Sequence, residues 1–101
     1  MVDAFHYHFE WDPAKAAGNR RRHGVGFEQA ATVFNDPLAL SAFDEEHSET
    51  QERWVTLGQA EHGKLLVVVH TYQEIDAENA AVRIISARPA TKHEQRQYET
   101  G

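Results

Sequence analysis

The sequence predicts an α+β domain in which a small antiparallel sheet has its helices packed on one side. Three observations support this. The segment "FHYHFEW" (5–11) alternates aromatic and polar residues, as expected for a strand with one buried face. Two helical segments follow it, and apolar, β-rich segments separated by turn residues follow those. With 101 residues the chain has the length of one domain, so residues 1–101 are predicted to form a single unit.

Two helices are predicted between residues 12 and 37. Asp12 and Pro13 are typical of a helix start, and Gly24 is typical of the left-handed residue just past a helix end. In "VGFEQAATVFNDP" (25–37) apolar residues recur at i, i+3, i+4 and i+7, which predicts a second helix that ends at the Asn-Asp-Pro sequence.

The second half of the chain is predicted to consist mainly of strands. "RWVTLGQAE" (53–61) and "KLLVVVHTY" (64–72) should form a hairpin that turns at His62 and Gly63. The polar, acidic residues 73–81 are predicted to be a loop, and "VRIISAR" (82–88) is the last predicted strand. Pro89 should open a final helix with almost no apolar stripe, which must be loosely attached or covered by another element.

Acidic residues are concentrated in two segments. Residues 36–52 contain six and residues 74–78 contain three, and neither segment has a lysine or arginine. Without these nine acids the formal charge of −6 becomes +3, so the overall acidity does not by itself exclude an anionic ligand such as RNA. The absence of cysteine excludes disulfides and thiolate metal sites and fits the cytoplasm, and no apolar run is long enough to cross a membrane.

Two arginines in "VRIISARPAT" (82–91) are the main candidates for a functional role. Strand alternation places Arg83 in mid-strand on one face and Arg88 on the other. A guanidinium group inside a sheet needs an anion, which is either an intramolecular acid such as Glu10 or Glu52, or a ligand. Arg88 lies at the strand-to-helix junction, where it would hold a phosphate or remain solvated.

Histidines and helix cations provide further candidates. His70 ends an apolar strand and would act as a general acid or base, or be a satisfied histidine at a strand end. His23 has the same two alternatives, the second being a helix cap. The cations of the first helix would bind RNA backbone or an acidic partner, or form a solvated face: Lys15, Arg20, Arg21 and Arg22. Tyr98 would reach a substrate or anchor the last helix. His6, His8 and Glu10 have a spacing compatible with a metal, which is weak evidence for a site.

Taken together, four segments resemble the BrnT toxin family. These segments are "FEWDPAKAAGNRRRHGVGFEQAATVFNDP" (9–37), "ERWVTLG" (52–58), "LLVVVHT" (65–71) and "RIISARPATKHEQRQYE" (83–99). The resemblance implies a ribonuclease toxin of a bacterial type II toxin-antitoxin module with a RelE-like fold. It also implies a BrnA-like antitoxin, which neutralises the toxin and carries the DNA-binding domain through which the complex represses its own operon.

The motif residues that carry the resemblance are Trp11, Asp12, Lys15, Asn19, His23, Gly24, Arg53, Trp54, Arg83, Arg88 and Tyr98. The sequence departs from the family pattern at Gly26, at Pro89 and in the acidic residues Glu74–Glu78. The departure at 74–78 matters most, because these acids would repel RNA from a nearby groove.

On this basis we expect an endoribonuclease that needs no metal or other cofactor. Arg83, Arg88 and Arg53 would clamp the phosphate, and His70, or otherwise His23, would move protons. Lys15, Arg20, Arg21, Arg22 and Tyr98 would bind RNA. The alternative is a non-catalytic module that holds the antitoxin in an autoregulatory repressor. Either protein would contact DNA only indirectly, through the antitoxin, and a heterotetramer with the antitoxin is the stoichiometry considered.

Overall fold

The computed structural model describes residues 5–47 and 52–101, which form three α-helices, two short 3-10 helices and a sheet. The helices and strands are β1 (His6–Glu10), α1 (Pro13–His23), α2 (Phe27–Thr32), a 3-10 turn (Val33–Asn35), β2 (Leu40–Phe43), a 3-10 turn (Glu45–His47), β3 (Arg53–Gln59), β4 (Leu65–Thr71), β5 (Gln73–Asp76), β6 (Asn79–Pro89) and α3 (Lys92–Thr100). Glu49, one of the six acidic residues of segment 36–52, lies outside the described residues.

The predicted sheet is confirmed, but it is mixed and not antiparallel throughout. Its strand order is β1-β6-β4-β3-β2, with β5 also paired to β6. β1 pairs with β6 in parallel, whereas the other pairs are antiparallel. Periodicity within one strand carries no information on its direction relative to a distant partner, so the sequence pattern did not reveal the parallel pair.

The core lies between one face of the sheet and the first two helices. Phe27 and Val33 are fully buried there against Leu66, Val68 and Ile84. The prediction that all helices pack on this side is wrong for α3. Residues on the opposite face, including the buried Leu57 and Val67, line a cavity together with Glu94 and Gln97 of α3. Because apolar residues occur on both faces of the central strands, both faces need cover.

Two element boundaries differ from the prediction. Residues 73–81 are not a loop, because β5 pairs with the start of β6 as a hairpin turning at residues 77–78. The final helix begins at Lys92, since Pro89 still pairs with Leu66 at the end of β6. Thr91 and Glu94 cap this helix by accepting each other's backbone N–H groups.

Asn19 fixes α1 to the edge of β6 beyond the last β1 pair, Glu10 with Arg83. Its buried side chain accepts the N–H of Ala87 at 3.1 Å and donates to the Ala87 carbonyl at 2.8 Å and the Val25 carbonyl at 3.0 Å. These backbone groups would otherwise be unpaired at a sheet edge. α1 itself ends at Gly24, whose φ of 70° confirms the predicted left-handed residue.

Candidate functional site

An irregularity in β6 determines which way its arginines face. Val69 pairs with Ser86, but the next residue, His70, pairs with Ile84, so Ile85 has no partner on β4. This β-bulge reverses the alternation, because two residues of one strand oppose one of the other. Arg83 and Arg88 therefore lie on the same face, opposite the buried Ile84 and Ala87. The prediction that they lie on opposite faces is wrong.

Arg53 lies on this face too, beside Arg83. Arg53 is the cross-strand neighbour of Thr71, and the Arg83 N–H donates to the Thr71 hydroxyl at 3.3 Å. Arg53 and Arg83 thus flank one strand, so their Cα atoms are about 10 Å apart. Arg88 pairs with Val67, which is about 13 Å from Thr71 along β4. We call the surface formed by Arg53, Arg83 and Arg88 the arginine face.

Arg83 and Arg88 each contact a carboxylate of the same chain. Arg83 donates to Glu10 at 3.0 Å, and both side chains are largely exposed, at 42% and 60%. Arg88 donates through both terminal nitrogens to Glu94 at 2.8 Å, in the bidentate geometry that favours such pairs. This contact, with the Thr91 N–H, lowers the pKa of Glu94 to about 2. The Arg83 pair is open and exchangeable, whereas the Arg88 pair also belongs to the cap of α3.

His70 lies on the other face of the sheet, so it does not share a site with the arginines. It is 3% exposed and packs edge-on against Phe34. Its Nε2 is 2.7 Å from the Thr56 hydroxyl, which is 2.7 Å from the Ser41 hydroxyl, and its Nδ1 is 3.0 Å from the Thr71 carbonyl. Burial lowers the pKa of His70, which keeps the ring neutral near pH 7. Of the two roles predicted for His70, these contacts favour a hydrogen-bonded histidine at a strand end over a general acid or base.

His70 lines a cavity of about 210 Å³ that was not predicted from the sequence. We call it the aromatic pocket, and its lining residues are Tyr7, Phe34, Ser41, Trp54, His70 and Tyr72. These residues are far apart in sequence and come together because four strands and the turn after α2 meet here. Alternation in "FHYHFEW" and "RWVTLG" indicates which face of each strand is apolar. It does not indicate that a gap remains between these faces in the folded protein.

The cations of α1 are also separated from the arginine face. α1 packs on the core side, through Ala16, and presents Lys15, Arg21 and Arg22 to solvent. Arg20 lies 3.5 Å from Glu28, with both side chains well exposed, and His23 is the last residue of the helix. An RNA strand on the arginine face would have to pass around a sheet edge to reach these cations.

Tyr98 anchors α3, which is the second of the two roles predicted for this residue. Its hydroxyl donates to Asp36 at 2.6 Å, and this bond raises the pKa of Tyr98. Burial opposes the ionisation of Asp36, but hydrogen bonds from the Gln59 N–H, Tyr98 and the Leu38 N–H lower its pKa overall. The polar helix is therefore held at both ends by charged hydrogen bonds, which explains how it attaches without an apolar stripe.

The described residues contain no group of three or more histidine and carboxylate side chains placed to hold a metal ion. The weak metal pattern of β1 is accounted for by other contacts, since His8 pairs with Asn79 at 2.7 Å and Glu10 with Arg83. No helix of the described part is long and apolar enough to cross a bilayer.

Sequence reasoning underestimated Asn19 and missed Glu94. In the sequence Asn19 stands out only as a motif residue, although its side chain is 2% exposed and hydrogen-bonds both backbone groups of Ala87. The Thr-x-x-Glu spacing from Thr91 to Glu94 is a recognisable capping signal that would have located the helix start.

Comparisons with known proteins bear on the resemblance. The crystal structure of the Brucella abortus ribonuclease toxin BrnT matches the fold with a TM-score of 0.55 at 18% identity, over 85% of this chain and 97% of that one. No curated protein sequence matches. The RelE-like fold stays a prediction, as neither finding tests it.

The family model described as "Ribonuclease toxin, BrnT, of type II toxin-antitoxin system" matches residues 11–94, which include α1, the core strands and the start of α3. Because this match covers well over half of the chain, the protein belongs to the BrnT family of type II toxin-antitoxin ribonuclease toxins.

Proposed function

We propose that this protein is an endoribonuclease that cleaves RNA in the cytoplasm without a metal ion, and thereby inhibits translation. The observation that carries the proposal is the presence of Arg53, Arg83 and Arg88 on one face of the sheet. The ribose 2′-hydroxyl would lose its proton and attack the adjacent phosphorus, and the bond to the 5′-oxygen of the next nucleotide would break as that oxygen takes up a proton, leaving a 2′,3′-cyclic phosphate. Guanidinium groups would stabilise the charge that develops on the phosphorane oxygens. Family membership supports ribonuclease activity.

Arg83 is the central residue of the proposed clamp. Its bond to Glu10 is largely exposed to water, and exposed ion pairs contribute only about 0 to 1 kcal/mol. A substrate phosphate, which presents more acceptor oxygens than one carboxylate, can therefore displace Glu10 at little cost. Arg88 is held more firmly by Glu94, so we assign it to the end of the clamp, with Arg53 on the far side of β4.

The acid and base are revised accordingly. His70 and His23 are not retained, because His70 faces the core side and His23 ends a helix that packs there. Within the described residues, β1 brings His8 and Glu10 to the arginine face, since they pair with Ala81 and Arg83 of β6. We assign His8 and Glu10 to exchange protons with a bound ribose, because they stand nearest to Arg83 on β1.

The test of the clamp is Arg83→Ala, with Arg96→Ala as the matched control on the exposed surface of α3. We expect Arg83→Ala to abolish growth arrest on expression and to lower cleavage of a purified RNA about 100-fold or more, as for loss of one transition-state donor. Arg96→Ala should behave as wild type. Full toxicity in a soluble Arg83→Ala protein would remove Arg83 from the site. A chelator should leave wild-type cleavage unchanged if no metal takes part.

A second candidate function is a non-catalytic module that holds its antitoxin in a repressor. The pairing of Arg83 with Glu10 and of Arg88 with Glu94 favours it, because both guanidinium groups are neutralised within the chain. Expression of the wild-type chain separates the two functions. A ribonuclease arrests growth and is rescued by its antitoxin, whereas a binding module is harmless.

The type II family implies an antitoxin partner. We propose that this partner is BrnA-like, that it carries the DNA-binding domain of the complex, and that toxin and antitoxin assemble as a heterotetramer. Light scattering of the co-purified complex measures the mass. A complex with one copy of each chain would contradict the heterotetramer.

A further inference from the structure

The aromatic pocket continues onto the surface as a row of aromatic rings. Phe5 and Tyr7 contact each other at 5.2 Å, and Tyr7 reaches Phe34 at 5.4 Å. Across the pocket, Phe43 packs edge-on against Trp54 at 5.2 Å. Phe5, Tyr7 and Phe43 remain 41%, 36% and 44% exposed. Connected apolar surface of this kind on a small protein typically marks a place where another molecule binds.

The size of the cavity indicates what it accepts. At about 210 Å³ it is smaller than the roughly 300 to 1,000 Å³ of most small-molecule sites. It suits a single anchoring side chain, of the kind that dominates the energy of protein interfaces. The exposed Ser41 hydroxyl provides one polar group at its wall.

The segments that flank the pocket in the chain carry acidic residues. Glu45 and Glu46 come soon after Phe43 in the chain and are exposed. Glu74 lies on the same side of its strand as Tyr72, and the charge of Glu74 adds to burial and Tyr7 in raising the Tyr72 pKa. None of the six lining residues is a lysine or arginine.

This charge decides between three occupants. RNA bases would stack on the rings, but the adjoining phosphates would lie against carboxylates. A second copy of the chain would bring one acidic rim against another, because a two-fold interface pairs the same surface with itself. A protein segment with an apolar side chain flanked by lysine or arginine meets both the rings and the acids favourably.

We propose that the aromatic pocket is the docking site for a basic, amphipathic segment of the antitoxin, which inserts one apolar side chain between Tyr7, Phe34 and Trp54. The proposal rests on membership of a family with an antitoxin partner, but not on the ribonuclease activity proposed above. It places the partner on the face of the sheet opposite the arginines. The antitoxin then neutralises the toxin without filling the arginine face directly.

The test measures direct binding of synthetic peptides that tile the cognate antitoxin, using fluorescence anisotropy and the full-length toxin. A peptide with an apolar residue between basic residues should bind wild type, with an affinity that falls as salt is added. Phe43→Ala should weaken binding roughly tenfold or more, as for an interface anchor. Leu38→Ala is the matched control, since Leu38 is 68% exposed but belongs neither to the pocket lining nor to the row of aromatic rings that includes Phe43.

Charge is tested separately by the double variant Glu45→Lys, Glu46→Lys, with Glu61→Lys in the β3–β4 turn as control. The double variant should weaken binding and flatten its salt dependence, whereas the control should not. Because binding is measured without cleavage, a chain with no ribonuclease activity still tests the proposal.

Three outcomes would overturn it. The first is that Phe43→Ala and Tyr7→Ala both bind every peptide within about twofold of wild type, the range expected of unrelated positions. The second is self-association of the purified chain through Phe43, which would make a second copy the occupant. The third is that Phe43→Ala loses affinity for an RNA oligonucleotide while peptide binding persists, which would make the pocket a nucleobase site.

Discussion

At the scale of single residues, the arginines show how a long cation is accommodated in a strand that the core needs. Arg83 does not enter the core, because its neighbours Val82 and Ile84 are the side chains that point there. It pairs with Glu10 on the open face, where water screens the charge. An intramolecular acid and an anionic ligand were the two alternative partners predicted for Arg83. They are compatible, because an arginine in an exposed ion pair can release its carboxylate and bind the ligand.

Glu94 gives the clearest pH-dependent prediction. Glu94→Gln should lower the free energy of unfolding near neutral pH by about 1 kcal/mol, less than for a buried charged hydrogen bond because Arg88 is 40% exposed. The pKa of Glu94 is depressed in the folded state to about 2, so its stabilisation is present above the unfolded value near 4.5 and is lost as pH falls towards about 2.

Urea unfolding of wild type and Glu94→Gln between about pH 7 and pH 3 measures this difference. Glu99→Gln on the exposed surface of the same helix is the control. A difference that stays constant as the pH falls would show that the ionised carboxylate of Glu94 does not stabilise the fold.

At the scale of elements, β6 organises the molecule. It pairs with β1, β4 and β5, and its bulge at Ile85 turns both arginines to one face. Asn19 lies on the buried side of this irregular region and satisfies both backbone groups of Ala87. α1 thereby continues the pairing of β6 where β1 has ended.

We predict that Asn19→Ala lowers the free energy of unfolding by about 2 to 4 kcal/mol, because it leaves the buried backbone groups of Ala87 and Val25 without partners. Arg21→Ala, on the exposed side of the same helix, should change it by less than about 0.5 kcal/mol. Urea unfolding measures both. Hydrogen exchange adds a local readout, since the Ala87 amide should exchange faster in Asn19→Ala; unchanged protection of that amide would contradict the role of Asn19.

At the scale of the whole molecule, the sheet separates two surfaces of opposite character. One carries Arg53, Arg83 and Arg88, and the other carries the aromatic pocket with an acidic surround. Some of the acidic residues that argued against an RNA ligand therefore lie beside the proposed partner site. Glu74, for example, projects towards Tyr72 and not towards Arg83.

This separation predicts independent losses of function. Arg83→Ala should lose growth arrest and keep its affinity for the antitoxin within about twofold, while Phe43→Ala should remain toxic and resist rescue by the antitoxin. A variant that carries both Arg83→Ala and Phe43→Ala should show both losses, each of the same size as in the single variant. Loss of antitoxin binding in Arg83→Ala would indicate that the partner covers the arginine face, and the two-surface arrangement would then be wrong.

The sequence by itself determined the features that depend on local order. Alternation in "FHYHFEW", the Asp12–Pro13 start and Gly24 end of α1, and the hairpin turning at His62 and Gly63 are all present in the structure. Each follows from steric and hydrogen-bonding preferences of neighbouring residues, which the order of residues expresses directly. The family motifs could likewise be recognised in the sequence, because they are sets of residues at fixed spacing.

Tertiary structure alone decided the direction of β1, the face of α3, the bulge that brings Arg83 and Arg88 together, and the removal of His70 from them. These features depend on pairing between residues as far apart as Asn19 and Ala87. Strand alternation assumes that every residue has a partner, so one unpaired residue, Ile85, is enough to reverse it. The aromatic pocket was hidden for the same reason, since a gap between faces is a property of how elements pack and not of any one of them.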